Sequence, residues 1–176
     1  MEQSVKSSSI NYGLYLGLVL SLYTVVCYVV SLETLANFWM TTLGLSLVII
    51  VFGVISVAKS KSLLGGFISF KNAFVSYFLT VLIGLLVSTV VSYVIFNIVD
   101  PEAAEELKII IMENTKSFME RMGTPPDTIS EQLAKMDAQE SSIGTQLLQF
   151  AQGLIFFSVI GLIVAAIMKK KDPEQA

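Results

Sequence analysis

Three amide side chains are the residues best placed to form a polar site inside the otherwise apolar stretches of this sequence. Gln149 and Gln152 lie one helical turn apart, and Asn97 ends another apolar stretch, so all three are expected at the same depth. Their neutral donors and acceptors could form hydrogen bonds between helices, or they could line a small outward-facing vestibule. The sequence leaves both interpretations open.

The side chains needed for most enzyme chemistry are missing. The 176 residues include no histidine, so the commonest general base and metal ligand is missing. There is a single cysteine, Cys27. No phosphate-binding glycine loop, zinc-ligand spacing or nucleophile elbow occurs. Glu102, Glu105 and Glu106 share a helix face, but without EF-hand spacing they are expected to form a solvated first turn. We therefore expect no enzyme activity, catalytic residue, metal site, cofactor, small-molecule substrate or nucleic-acid partner.

Long uncharged stretches indicate which elements position these amides. Charged residues make up only 14% of the chain, against about 25% in soluble domains. Four stretches reach the ~20 apolar residues that an α-helix needs to cross a membrane. They are residues 10–32, 38–58, 72–99 and 144–168. The sequence predicts an all-α integral membrane protein in which one four-span domain covers residues 1–176, and the first stretch is too long for the apolar region of a signal peptide.

Basic residues are concentrated on one side of the predicted spans. Seven of the eleven basic residues lie there with only three acidic ones, which is typical of the cytoplasmic side. An even number of spans puts both termini on that side. Six of these lysines, and the apolar residues 63–70 between them, are expected at the membrane surface facing lipid headgroups. The lysines are Lys59, Lys61, Lys71, Lys169, Lys170 and Lys171.

The opposite side carries an acidic connection with helical signals. Residues 100–146 contain ten acidic and four basic residues. Asp100-Pro101 indicates a helix start, and Gly123 followed by Pro125-Pro126 indicates a stop. The prediction is an extracytoplasmic two-helix hairpin between the third and fourth spans. It covers residues 100–143, with helices at about 103–122 and 125–138.

Caps and packing faces complete the prediction. Thr124 is expected to cap the second hairpin helix, and Ser141 or Ser142 the fourth span. Small residues at four-residue spacing are expected to let the spans pack closely, and a leftover face could make a homodimer. These residues are Gly13, Gly17, Gly84, Ser88, Ser92, Gly161 and Ala165.

Four sequence features together resemble a known family. They are Tyr12-Gly13 with Gly17, Gly65-Gly66-Phe67-Ile68-Ser69-Phe70, Asn97 with Asp100-Pro101-Glu102, and the lysine stop at 169–171. The combination is similar to the four-helix membrane family called domain of unknown function 4199. That resemblance implies a bacterial inner membrane, with the hairpin facing the periplasm, and it brings no site residues with it.

Two functions remain open at this level. The first is a non-enzymatic scaffold or accessory protein, whose acidic hairpin is a solvated cap or a docking surface and whose partners are membrane lipids and another membrane protein. The second is a subunit of a small oligomeric transporter or channel, with the hairpin as a gate. Convergence of Asn97, Gln149 and Gln152 on a water-filled cavity would favour transport, whereas a dry interface would favour the scaffold.

Overall fold

The computed structural model describes residues 2–138 and 143–170. In chain order the helices are α1 (Glu2–Val30), α2 (Leu32–Ala36), α3 (Leu45–Leu63), α4 (Phe70–Tyr93), α5 (Pro101–Arg121), α6 (Pro126–Asp137) and α7 (Ile143–Met168). A π-helical segment, Trp39–Gly44, leads into α3, and a second one, Val94–Val99, extends α4. Ser141 and Ser142, which were expected to cap the fourth span, lie outside the described residues.

The prediction of four spans is confirmed. The helical units that are long and apolar enough to cross a membrane are Gln3–Val30, Trp39–Leu63, Phe70–Val99 and Ile143–Met168. The second unit continues beyond its predicted end at residue 58, through Lys59 and Lys61. Lysines are compatible with a helix end there because their long side chains can reach the polar interface.

α4 lies at the centre of the bundle, in contact with α1, α3 and α7. α1 approaches it closely because two glycines leave room for branched side chains. A Cβ added at Gly13 would lie 2.7 Å from Ile83 Cβ, and one at Gly17 would lie 2.6 Å from Val87 Cβ. From the other side, Gly84 makes room for the fully buried Leu16.

A second close contact surrounds Tyr77, which is fully buried at the centre of the core. Its ring lies between Gly53 of α3 and Gly161 of α7. A Cβ at Gly161 would lie 2.6 Å from the ring, and one at Gly53 would overlap it even more. The aromatic side chain thereby joins three of the four spanning helices.

The connection between the last two spanning helices forms two helices, α5 and α6. Asp100 caps α5 by accepting a 3.0 Å hydrogen bond from the Ala103 amide, with Pro101 in the first turn. Gly123 ends the turn after α5 with φ +73°, a conformation that favours glycine. The predicted cap at Thr124 is wrong, because α6 begins at Pro126 and Pro125 occupies the capping position without a side-chain bond. The extracytoplasmic position of these helices stays a prediction.

The lysine-rich end of the bundle is closed by a small backbone contact. Ile68 and Lys170 exchange two backbone hydrogen bonds of 3.0 and 2.9 Å. Ile68 is only 2% exposed, so its side chain is buried against the end of α7, whereas Leu63 and Phe70 at the two ends of the 63–70 segment are exposed. The position of this segment in the membrane surface stays a prediction. The turn before Ile68 uses Gly65 and Gly66, both with positive φ.

Candidate functional site

Three side-chain contacts hold α5 against the adjacent ends of the spanning helices. The Tyr28 hydroxyl donates a 2.8 Å hydrogen bond to Asp100. The Asn114 amide donates to the Ala36 carbonyl at 3.3 Å, and Phe38 stacks on Phe118 with ring centroids 6.2 Å apart. α5 is therefore positioned by α1, by α2 and by the residues that follow α2.

The Asp100 carboxylate connects α1 with the start of α5. Its two oxygens accept from the Ala103 amide and from the Tyr28 hydroxyl. These bonds, the first one above all, lower the pKa of Asp100 below its ordinary value because they favour the ionised form. The group is thus held as an anion at the junction of α4 and α5.

α6 is tied to α5 by one lysine. Lys108 donates a 2.7 Å hydrogen bond to the Asp137 carbonyl and forms a 3.2 Å ion pair with its carboxylate. The lysine is only a quarter exposed, whereas the Asp137 side chain is largely in solvent. This pairing occupies a lysine that borders one of the cavities described next.

A cleft separates the α5–α6 end of α7 from its neighbours. Within the described residues, α7 contacts α4 and α3 but not the π-helical extension of α4, α5 or α6, so its first turns diverge from them. The gap consists of two adjoining cavities, of about 290 and 360 Å³, which share Phe96, Gln146 and Gln149. We call this combined space the α4–α7 cleft.

Uncharged polar side chains line the cleft along much of its length. Its upper part is bordered by Asn97, Thr145, Gln146 and Gln149, and its lower part by Ser88, Thr89 and Ser92. The Asn97 amide nitrogen is buried and has no hydrogen-bond partner in the described chain.

The serine and threonine side chains of the cleft differ from two other hydroxyls of the spanning helices. Thr24 and Ser158 donate to the carbonyl one turn earlier, at 3.1 and 2.6 Å. Over residues 2–138 and 143–170, neither the hydroxyls of Ser88, Thr89 and Ser92 nor the amides of Gln146 and Gln149 make a side-chain hydrogen bond. Unsatisfied polar groups are costly at membrane depth, so this cleft is suited to water or to a polar ligand.

The opposite half of the bundle is polar in a different way. Five fully buried hydroxyls from α1, α3 and α4 form a cluster of short hydrogen bonds: Ser9, Ser56, Ser60, Ser76 and Thr80. Ser76 Oγ lies 2.7 Å from Ser9 Oγ and 2.6 Å from Ser60 Oγ, and the Thr80 hydroxyl donates to Ser56 Oγ at 2.7 Å. The hydroxyls of this cluster form hydrogen bonds with one another. Together with Tyr77, the cluster fills the space below the cleft.

The predicted amide trio is only partly brought together. Asn97 and Gln149 line the same cavity, but Gln152 is exposed and borders neither cavity. Gln146, which lies one helical turn before Gln149, borders the cleft instead of Gln152, which lies one turn after it. The Asn97 amide nitrogen also makes no interhelical bond.

The predicted packing residues divide into two groups. Gly13, Gly17, Gly84 and Gly161 meet side chains of neighbouring helices, and Ala165 is fully buried in the core. Ser88 and Ser92 border the lower cavity at the level where α7 diverges from α4, and their packing role stays a prediction.

The lysines predicted to face lipid lie at the end of the bundle opposite α5 and α6. Lys59, Lys71, Lys169 and Lys170 are exposed. Lys61 is directed elsewhere, because its ammonium donates a 3.1 Å hydrogen bond to the Met168 carbonyl at the end of α7. Lys170 also lies 5.2 Å from the centre of the Phe67 ring. Lys171 lies outside the described residues.

Sequence reasoning missed the hydroxyl cluster and half of the cleft. A usable signal existed for the cluster, since Ser56 and Ser60, and likewise Ser76 and Thr80, are spaced by one helical turn. Thr89 and Gly153 of the cleft carry no comparable signal. Their role depends on where α7 diverges from α4.

The chemistry available here is neutral hydrogen bonding. In the part of the chain that the structure describes, no group of three or more His, Cys, Asp or Glu side chains is placed to hold a metal ion. The cleft offers hydroxyl and amide donors and acceptors beside two aromatic rings, Phe96 and Phe150.

Comparison with known proteins gives a family and nothing beyond it. A family model described as protein of unknown function (DUF4199) matches residues 11–170, which is most of the chain. No curated protein and no solved structure matches. The resemblance seen in the sequence is thereby confirmed.

Proposed function

The chain belongs to the DUF4199 family of proteins of unknown function, and we propose that it is a non-enzymatic accessory or scaffold protein of the bacterial inner membrane. In this proposal both termini are cytoplasmic, and α5 with α6 faces the periplasm. The lysines at one end of the bundle and the acidic helices at the other support this orientation. A reporter fused after the last residue should be active only in the cytoplasm, and periplasmic activity would refute it.

The observation that carries the accessory role is a fixed acidic surface. The contacts of Tyr28, Asn114 and Phe118 hold α5 in place, so its charges are presented in a set arrangement. The acidic side chains of α5 and α6 are exposed. They are Glu102, Glu105, Glu106, Glu113, Glu120, Asp127, Glu131 and Asp137. Such a surface suits a partner with a basic segment, since complementary charge steers association.

The docking role is tested by neutralising acids that make no ion pair in the described chain. We expect the combined variant Glu105→Gln, Glu113→Gln and Glu120→Gln to lose its crosslinked partners in membranes. The matched control, Lys59→Gln with Lys71→Gln, changes exposed charges at the other end and should keep them. Recovery of the same partners by all forms would refute the docking surface.

A second function, a subunit of an oligomeric transporter or channel, is favoured by one observation. The α4–α7 cleft contains polar groups that lack partners in the described chain, as a solute path requires. The hydroxyl cluster and Tyr77 fill the bundle beneath it, so a path through one chain would need these groups to move. Purified protein in liposomes should show no flux of uncharged solutes if the accessory role is correct, and measurable flux would replace that role by the transport one.

A further inference from the structure

We propose that the α4–α7 cleft binds the uncharged, hydroxyl-bearing headgroup of a membrane amphiphile, which enters from the lipid between α4 and α7. This site is separate from the acidic surface of α5 and α6. Its failure would leave the docking proposal unaffected.

The depth of the polar lining is the first argument. Asn97 and Ser88 are nine positions apart on one continuous helical unit, which corresponds to about 13 Å along the axis. Hydroxyl and amide groups therefore extend well below the headgroup level of the membrane. A ligand with several polar atoms, or the water it displaces, would supply the partners that these groups lack within the described chain.

The charge of the lining defines the ligand class. Among the described residues that border the two cavities, Lys108 has the only charged side chain, and Asp137 already pairs with it. The hydroxyls and amides offer both donors and acceptors, which matches a ligand that carries hydroxyl groups and no charged group. Phe96 and Phe150 offer apolar faces to the carbon skeleton of such a headgroup.

The route of entry points to an amphiphile. The described residues that border the lower cavity all belong to α4, its π-helical extension and α7, so this cavity lies between two spanning helices. Leu86 and Val90 beside it on α4 are about half exposed and face lipid. At Gly153 an added Cβ would meet no atom within 4 Å, which leaves this side of the cleft open. The cavity volumes lie near the lower end of the roughly 300–1,000 Å³ range of small-ligand sites.

Water access to the cleft is tested with a cysteine variant. The full chain with Cys27→Ala and Ser92→Cys, in phosphatidylcholine nanodiscs, is treated with a water-soluble anionic methanethiosulfonate. The control carries Val90→Cys, which lies only about 3 Å from Ser92 along the α4 axis and is about half exposed on the lipid-facing side. We expect S92C to react about tenfold faster than V90C, because a thiol forms its reactive thiolate only where water enters. Equally slow reaction of both variants would overturn the proposal.

The ligand class is tested by protection of the same thiol. Octyl glucoside below its micelle concentration should slow the modification of S92C about tenfold. Octylphosphocholine, with the same chain and a zwitterionic headgroup that has no hydroxyl, and free glucose should leave the rate unchanged. Protection by octylphosphocholine would overturn the choice of headgroup, and equal protection by glucose would assign the cleft to a soluble ligand. If S92C forms disulfide-linked dimers, and octyl glucoside does not lower their yield, the cleft would be assigned to a second copy of the chain.

Two glycine variants provide a binding test that does not use the thiol. Gly153→Leu should fill the lower cavity, whereas Gly44→Leu adds the same side chain where nothing lies within 4 Å and no cleft exists. By native mass spectrometry, the wild type and G44L should retain octyl glucoside, and G153L should lose it. Equal retention by all three proteins would overturn the site.

Discussion

The Tyr28 hydroxyl donates a 2.8 Å hydrogen bond to the Asp100 carboxylate and so links the end of the first spanning helix to the start of α5. The same carboxylate caps α5 through the Ala103 amide. One side chain therefore stabilises a helix and fixes its position relative to the bundle. The Tyr28 ring is held in turn by an edge contact with Phe96, whose ring borders the cleft.

Acid should weaken this junction. The pKa of Asp100 is lowered by the Ala103 and Tyr28 hydrogen bonds, so its contribution to stability is fully present above the ordinary aspartate value of ~3.9. It is lost as the pH falls through the lowered, folded-state pKa. Asp100→Asn retains an oxygen for the Ala103 amide but cannot ionise. The difference in Tm between wild type and D100N, measured in detergent from about pH 7 to pH 3, should shrink on acidification. A constant difference would contradict this assignment.

The hydroxyl cluster should depend most on Ser76, which lies within hydrogen-bonding distance of three other side-chain hydroxyls. Ser76→Ala leaves the buried Ser9 and Ser60 hydroxyls without that partner, and the expected cost in free energy of unfolding is about 1–3 kcal/mol. Ser92→Ala removes the same atom from the cleft, where it has no partner in the described chain, and should change stability by less than about 0.5 kcal/mol. Equal losses in reversible unfolding would show that the cluster is not stabilising.

The sequence was sufficient for the spanning helices because each carries a long apolar run and few charges. It also predicted the start of α5 correctly, since Asp100-Pro101 is a local signal that tertiary contacts do not alter. Which face of α7 looks inward was not predictable in the same way. Gln146, Gln149 and Gln152 are all near one end of an almost uniformly apolar helix, so its pattern gives no preferred face.

The cleft depends on relative helix positions that local patterns do not contain. Ser88 and Ser92 continue the small-residue face that begins at Gly84, and a packing role was the natural prediction. At Gly84 the neighbouring helix is α1, whose Leu16 fills the space. Further along, the serines border the lower cavity, at the level where α7 diverges from α4.

Gly53 should tolerate no side chain. A Cβ there would overlap the ring of Tyr77, which is enclosed on its other face by Gly161 and has no room to move away. Gly53→Ala should therefore destabilise the bundle by about 1–3 kcal/mol through overpacking. Gly44→Ala, where nothing lies within 4 Å, should be neutral or stabilising by up to ~1 kcal/mol, since alanine favours helix. The measurement is thermal unfolding of both variants in one detergent. Similar Tm values would refute the close packing of the Tyr77 ring between Gly53 and Gly161.

Tyr77 itself offers the opposite test, in which removing an atom should stabilise the protein. Its hydroxyl is buried in the core and has no hydrogen-bond partner in the described chain. An unsatisfied buried hydroxyl costs about 1–3 kcal/mol, so Tyr77→Phe, which keeps the ring between Gly53 and Gly161, should raise the free energy of unfolding by an amount in that range. Tyr77→Leu removes the same hydroxyl and also the ring, and should be destabilising because it leaves a cavity between the glycines. A lower Tm for Y77F than for wild type would mean that the hydroxyl has a partner in the folded protein, such as an ordered water. Measuring both variants separates the effect of the hydroxyl from that of the ring.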